Sequence, residues 1–400
     1  MEKKKLNPTL VMLIALALGL VTGLVLGEKA AVLQSIGDIF IKLIKMVVIP
    51  IVMCSIITAT TNIGDMKKLG RVGSKTLILY ILTTAMAAVL GIILATATHL
   101  GEGVVLEAAA DEVVTEGISI GEVFANIVPS NIFSAMANFE TLPCIVFSLL
   151  FGISLLMLGE RSRPVVEVLE ICNEALQKLV GIVMKVAPIG IFCLIASGIG
   201  QYGAEVFAAL GQYLILAYIV VALLFVVYLL LIKFFSDVPV KKFLSGGVKI
   251  AMTAFTTRSS AATLPVNIDT TVNEFGVPED IARFTLPIGC TINMNGAATG
   301  FAMKAVLAGF IFGHPLTLPQ LISTVVICTI SGIGMPGIPN AALVFNVLLF
   351  STLGFPNGAL IGMLASVESL EDMIQTAGNV LGDSACAVLV AASEKKREAK

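Results

Sequence analysis

Apolar positions in this chain fall in long blocks, with neither the alternation of strands nor the one-sided stripe of a surface helix. Runs near residues 8–26, 38–62, 76–99, 139–158, 164–199 and 205–233 are each long enough to span a bilayer. From residue 243 the pattern changes. Apolar segments are now interrupted by TTRSSAATLPV, TINMNGAATG, SGIGMPGIPN and GNVLGDSA. In order they predict a hairpin at 243–277, an interrupted helix at 279–312, a second hairpin at 317–355 and a second interrupted helix at 357–392. Irregular backbone cannot face lipid, because its freed N–H and C=O groups find no partner there; it must be buried in protein or line a cavity. The prediction is an all-α polytopic membrane protein of eight transmembrane helices and two re-entrant helical hairpins. The first hairpin enters from one side and the second, after one crossing, from the other, so the two units form an inverted repeat of the kind secondary transporters use.

Charge placement orients this plan. Lys3, Lys4 and Lys5 precede the first span, Lys67, Lys68, Arg71 and Lys75 follow the second, Arg161 and Arg163 precede the fifth, and Lys241 and Lys242 follow the sixth. Every second connection is basic, which places it, together with both termini, on the cytoplasmic face of the plasma membrane. The intervening GEGVVLEAAADEVVTEG, with five acids and no base, belongs outside. The basic start followed by a long apolar run is read as a first membrane helix, not a cleaved signal. With 57% hydrophobic and 13% charged residues, the composition is that of a membrane protein. Nothing supports a nucleic-acid partner. Seven scattered cysteines without CxxC spacing act as small hydrophobes, and two isolated histidines, His99 and His314, offer no ligand cluster.

The last helix is the most informative segment. Glu368, Asp372, Gln375, Thr376, Asn379 and Asp383 recur at steps of three and four, forming one polar stripe. An ionised aspartate at mid-membrane costs roughly 2.5–3.5 kcal/mol on insertion scales, so such residues face a cavity, a cation or a basic partner. An alternative is that Glu368, Glu371 and Asp372 sit at the helix start and face water. In TINMNGAATG, Asn293, Asn295 and Gly296 permit an unwound turn whose carbonyls suit a hard cation. Hairpin tips ending at the membrane centre present N–H groups that suit a carboxylate, and Arg258 at the first tip can neutralise an acid of the last helix.

Taken together, IKMVVIPIV, YILTT, VAPIGIF, TTRSSAATLPV, TINMNGAATG, GMPG and TAGNVLGDSA resemble the dicarboxylate/amino acid:cation symporters over nearly the whole chain. The resemblance implies a homotrimer working by an elevator movement. Residues 1–66 and 120–200 would be scaffold; 74–100 and 204–395 would form the moving transport domain. It further implies that Asp372 binds a substrate ammonium and Asn379 its carboxylate, beside Thr376. Ser260 and the backbone around Met335, Gly337 and Pro339 would close over them. One sodium site would use Gly289, Asn293, Asn379 and Asp383, a second the carbonyls of Thr291, Thr329, Ile330 and Gly332, and a third Tyr80, Thr83, Thr84 and Asn293.

Three departures from the family pattern bear on substrate. Gln375 stands where acidic amino acid transporters place an arginine for the side-chain carboxylate, Asn295 replaces an acid of the third cation site, and Ala297 replaces a threonine beside the substrate. All three point to a small neutral amino acid such as serine, threonine or alanine, and Asn295 counts against a third sodium. The carbonyl sites favour sodium as the coupling ion, with no organic cofactor. Proton coupling, or an acidic amino acid or dicarboxylate as substrate, is the rival reading. An intramembrane protease is remote: a serine would need a base, and Asp383 lacks a paired aspartate.

Overall fold

The computed structural model describes residues 8–68, 71–104, 128–138, 141–202, 205–333, 335, 337, 341–355 and 358–398. Among them are fourteen α-helices and no strand: α1 (Pro8–Leu26), α2 (Gln34–Lys68), α3 (Arg71–Ala97), α4 (Ile132–Ala137), α5 (Thr141–Leu158), α6 (Arg163–Tyr202), α7 (Glu205–Phe235), α8 (Val240–Thr257), α9 (Ser260–Asn273), α10 (Glu279–Ile292), α11 (Asn295–Ile311), α12 (Leu318–Gly332), α13 (Ala342–Leu353) and α14 (Gly358–Glu398). Among the described residues, six helical stretches are long and apolar enough to cross a membrane, which fits a multi-pass membrane protein. The acidic 101–117 segment and the start of the 120–200 unit lie largely outside the described residues.

α6 lies along α1 and α2, and α5 packs on α2. α3 packs on α11, while α7 and α8 pack on α14. Burial grades inward. Only 39% of the most apolar window of α3, and the same share of α7, is covered, against 94% for α10–α11 and 89% for α14. The outer helices turn apolar residues such as Leu82, Ile93, Ile215 and Phe234 outward, as a lipid-facing surface does. The inner ones hold the polar residues. At one end, Arg71 and Lys75 of α3 meet Glu394 of α14, and Lys395 pairs with Asp237 at 3.0 Å. The basic connection after span two and the C-terminal segment therefore share a face.

The two expected hairpins are helix pairs with packed arms, α8 with α9 and α12 with α13. Arg258 ends α8 with φ 52°, a left-handed conformation that turns the chain, and Ser259 then caps α9 by accepting from the Ala262 N–H at 3.2 Å. The interrupted helix at 279–312 is found as α10 and α11, which part at Asn293 and Met294. The second expected interruption is corrected: α14 runs unbroken through GNVLGDSA. Its glycines serve close approach, not unwinding. A Cβ on Gly378 would come within 3.1 Å of Gly296 Cα, and one on Gly382 within 2.8 Å of the Tyr228 hydroxyl. The second and fifth spans are also longer than predicted from their apolar runs, because polar turns extend α2 and α6 beyond them.

Candidate functional site

The two hairpin tips meet. Ser259 Oγ donates to Gly337 O at 2.7 Å, and the Ala261 N–H approaches the same carbonyl at 3.4 Å. Beneath them lies a narrow, nearly closed cavity of about 10 Å³ lined by Arg258, Ser260, Met294, Ala297, Met335, Gly337, Ala341, Ala342, Asp372, Gln375, Thr376 and Asn379. Residues from four distant segments are thus brought to one place. Pro339 lies outside the described residues.

The break in the neighbouring helix dictates how Asn379 is used. Gly296 and Ala297 at the start of α11 have no carbonyl one turn back, and Asn379 Oδ1 accepts both N–H groups, at 2.8 and 3.2 Å. Its Nδ2 remains a donor at the cavity wall, which is what a carboxylate needs. Thr376 Oγ1 donates to Asp372 Oδ1 at 3.4 Å, one turn away on α14. The tip of α9, Arg258 and this acid provide the charges of the cavity.

Glu368, Glu371 and Asp372 of α14 do not face water. Glu368 and Glu371 are fully buried and Asp372 is 7% exposed. The base beside Glu368 is one that the apolar pattern concealed: Lys304, in FAMKAVLAGF of α11, lies 3.1 Å from Glu368 Oε2 and 2.9 Å from Glu371 Oε2, with no exposed surface on any of the three. Lys304 also donates to Asn346 Oδ1 of α13 at 3.1 Å, Asn346 Nδ2 donates to Glu368 Oε2 at 3.3 Å, and the Tyr213 hydroxyl of α7 donates to Glu371. Gln375 in turn donates its Nε2 to Glu371 Oε1. A lone lysine in an apolar helix opposite a carboxylate stripe was the available signal.

The candidate cation residues fall into groups of different character. Asp383 is fully buried; its Oδ1 accepts from Asn293 Nδ2 at 2.8 Å, and its Oδ2 has no hydrogen-bond partner among the described residues. Gly289 lies against it, and a Cβ there would collide with the carboxylate. An orphaned carboxylate oxygen beside helix-break carbonyls is a fitting place for a monovalent cation. The third-site residues instead close on one another. Thr84 donates to Asn295 Oδ1 at 2.6 Å, Asn295 Nδ2 donates to Tyr228 at 2.7 Å, Thr83 approaches Asn293 Oδ1 at 3.2 Å, and Tyr80 donates to Thr285 O at 2.8 Å. That network is neutral, with each of these side chains already hydrogen-bonded. Of the second site, Gly332 lies near Thr84 and Met294, while the Ile330 carbonyl accepts from the Ile333 N–H at 3.0 Å. Thr329 bonds back to Val325 O, and Thr291 is exposed.

A helical break capped by a neighbouring helix, two touching helix-pair tips and a buried carboxylate thus lie close together. The chain belongs to the sodium:dicarboxylate symporter family, whose model matches residues 9–393. It is therefore a cation-coupled symporter and not an enzyme. It is 31% identical to the proton/sodium-glutamate symport protein of Bacillus caldotenax, over 93% of this chain and 92% of that protein. It is 30% identical to the proton/glutamate-aspartate symporter of Escherichia coli K12, over 92% and 86%. The C4-dicarboxylate transport protein 2 of Ralstonia nicotianae is likewise 30% identical, over 96% and 88%.

Proposed function

We propose that the protein couples sodium entry to uptake of a small amino acid whose side chain carries a hydroxyl or amide. One observation carries this reading: Gln375 gives an amide N–H to Glu371, while its Oε1 has no partner among the described residues. A buried acceptor at the cavity wall calls for a donor from the substrate. A hydroxyl or amide supplies one, whereas a carboxylate is acceptor-only and would face it unpaired. The cavity carries one charge of each sign, Arg258 and Asp372, in keeping with a zwitterion.

A second reading has its own support: the relatives are named for glutamate, aspartate or C4-dicarboxylates, and Arg258 stands in the same cavity. By kinship alone, an acidic substrate is the better supported one. Asp383 with its free oxygen favours a cation at the helix break, and the closed Asn295 network argues against one at the third site. The homotrimer, elevator movement, scaffold and transport domains, and cytoplasmic termini belong to this proposal as well.

The deciding experiment is uptake of labelled L-serine into proteoliposomes under an inward sodium gradient, with excess threonine or aspartate as competitor. Sodium-driven uptake blocked by threonine but not aspartate supports the first reading. Block by aspartate supports the second, and uptake driven by a proton gradient alone removes sodium from the coupling. Gln375→Arg sharpens the test, since it should admit aspartate by supplying a bidentate partner.

A further inference from the structure

The cavity reading rests on which way the Gln375 amide faces, and the group that faces it there is outside the cavity. An amide can present either its oxygen or its NH2 to a neighbour of mixed character. A carboxylate accepts only, so beside Glu371 the NH2 must turn inward and the oxygen toward the cavity. Glu371 is held in that state from several sides. Lys304 lies 2.9 Å from its Oε2 and Tyr213 donates to it, while Glu368, 3.1 Å from the same ammonium, competes for that cation. Tyr218 is nearby too, its hydroxyl donating to Leu370 O at 3.0 Å. Gly300 leaves the space: a side chain there would collide with both the Gln375 amide and the Glu371 carboxylate.

We propose that Glu371, held by Lys304 and Tyr213, is a specificity-determining positioning residue: it fixes the Gln375 amide with its acceptor toward the substrate and so selects donor-bearing side chains over carboxylates. The inference deepens the reading of Gln375 given above. The signal is absent from the cavity lining, because Glu371 itself does not reach the cavity.

Glu371→Gln keeps the shape, removes the acceptor-only constraint, and leaves Lys304 and Glu368 as a balanced pair. The readout is the ratio of dissociation constants for L-aspartate and L-threonine, measured by calorimetry on the purified full-length protein in sodium buffer. The ratio should fall about five- to tenfold toward aspartate, the scale of one hydrogen bond. Glu371→Asp, which keeps the charge but shortens the reach, should lower it as well and serves if the Gln variant does not fold. In a Gln375→Met background, Glu371→Gln should leave the ratio unchanged. An unchanged ratio in the Gln and Asp variants, or the same fall in the Gln375→Met background, overturns the inference. If the wild type prefers aspartate yet the ratio still falls in Glu371→Gln, the neutral-substrate reading fails and the positioning role stands. If neither ligand binds the wild type, both are overturned.

Discussion

Two stretches of helix cross the centre of the molecule side by side, α10–α11 and α14, and only one of them is broken. Both are rich in glycine, both are polar where they meet, and 94% and 89% of their most apolar windows are buried. In the first, Asn293 and Met294 leave helical geometry, and the freed N–H groups of Gly296 and Ala297 go to Asn379 of the second. In the second, Gly378 and Gly382 keep their helical hydrogen bonds and let the broken helix approach. The intact helix is what makes the break affordable. A glycine-rich polar stretch at membrane depth therefore has two meanings, a break or a seat for a neighbour's break, and the local sequence does not say which.

The partnership can be broken at several points. The largest effect is expected from Lys304→Met. It leaves Glu368 and Glu371 buried together without their cation, at a cost of about 3–5 kcal/mol, seen as a large fall in thermal stability in detergent. A variant as stable as the wild type would mean that the two acids do not depend on this base. Next is Gly296→Ala, whose Cβ would lie 2.8 Å from the Gln375 carbonyl carbon and must push two backbones apart. About 1–3 kcal/mol of stability should be lost, with weaker substrate binding, because Gln375 and Asn379 move with the backbone. Asn379→Ala should cost roughly 1–2 kcal/mol, the size of a lost helix cap, and should weaken substrate binding more than it lowers the melting temperature. Normal binding in that variant would restrict Asn379 to capping.

The smallest change in stability should come from Asn295→Asp. An aspartate can still accept from Thr84 and, with the Tyr228 proton reversed, from that hydroxyl, so the network survives with one charge added. The expected outcome is a melting temperature that falls in sodium-free buffer and is recovered by sodium more strongly than in the wild type. Equal sodium response in the two proteins would show that this position does not recruit a cation.

Much of this was legible from residue order. Blocks of apolar residues announced the spans, the Arg258–Ser259 turn and the Asn293–Met294 break stood out as polar islands, and the three- and four-residue steps of α14 put Asp372, Gln375, Asn379 and Asp383 on one face. Three things were not. GNVLGDSA looked like a second break; Glu368 and Glu371 were compatible with a wet helix start; and Lys304 was one base in an apolar run.

The reason is physical. Spans, turns and helix faces follow from hydrophobicity and backbone sterics within a few residues, and the sequence alone determines them. Whether a glycine breaks a helix depends on what backbone lies against it, and a buried charge keeps its ionic form only if a counter-charge from another helix arrives within about 3 Å. Gly296 against Gln375 and Lys304 against Glu371 are encounters between residues about seventy to eighty positions apart along the chain. Only tertiary packing of α11 on α14 brings them together, and that packing decides which atoms of Gln375 and Asn379 are left for the substrate.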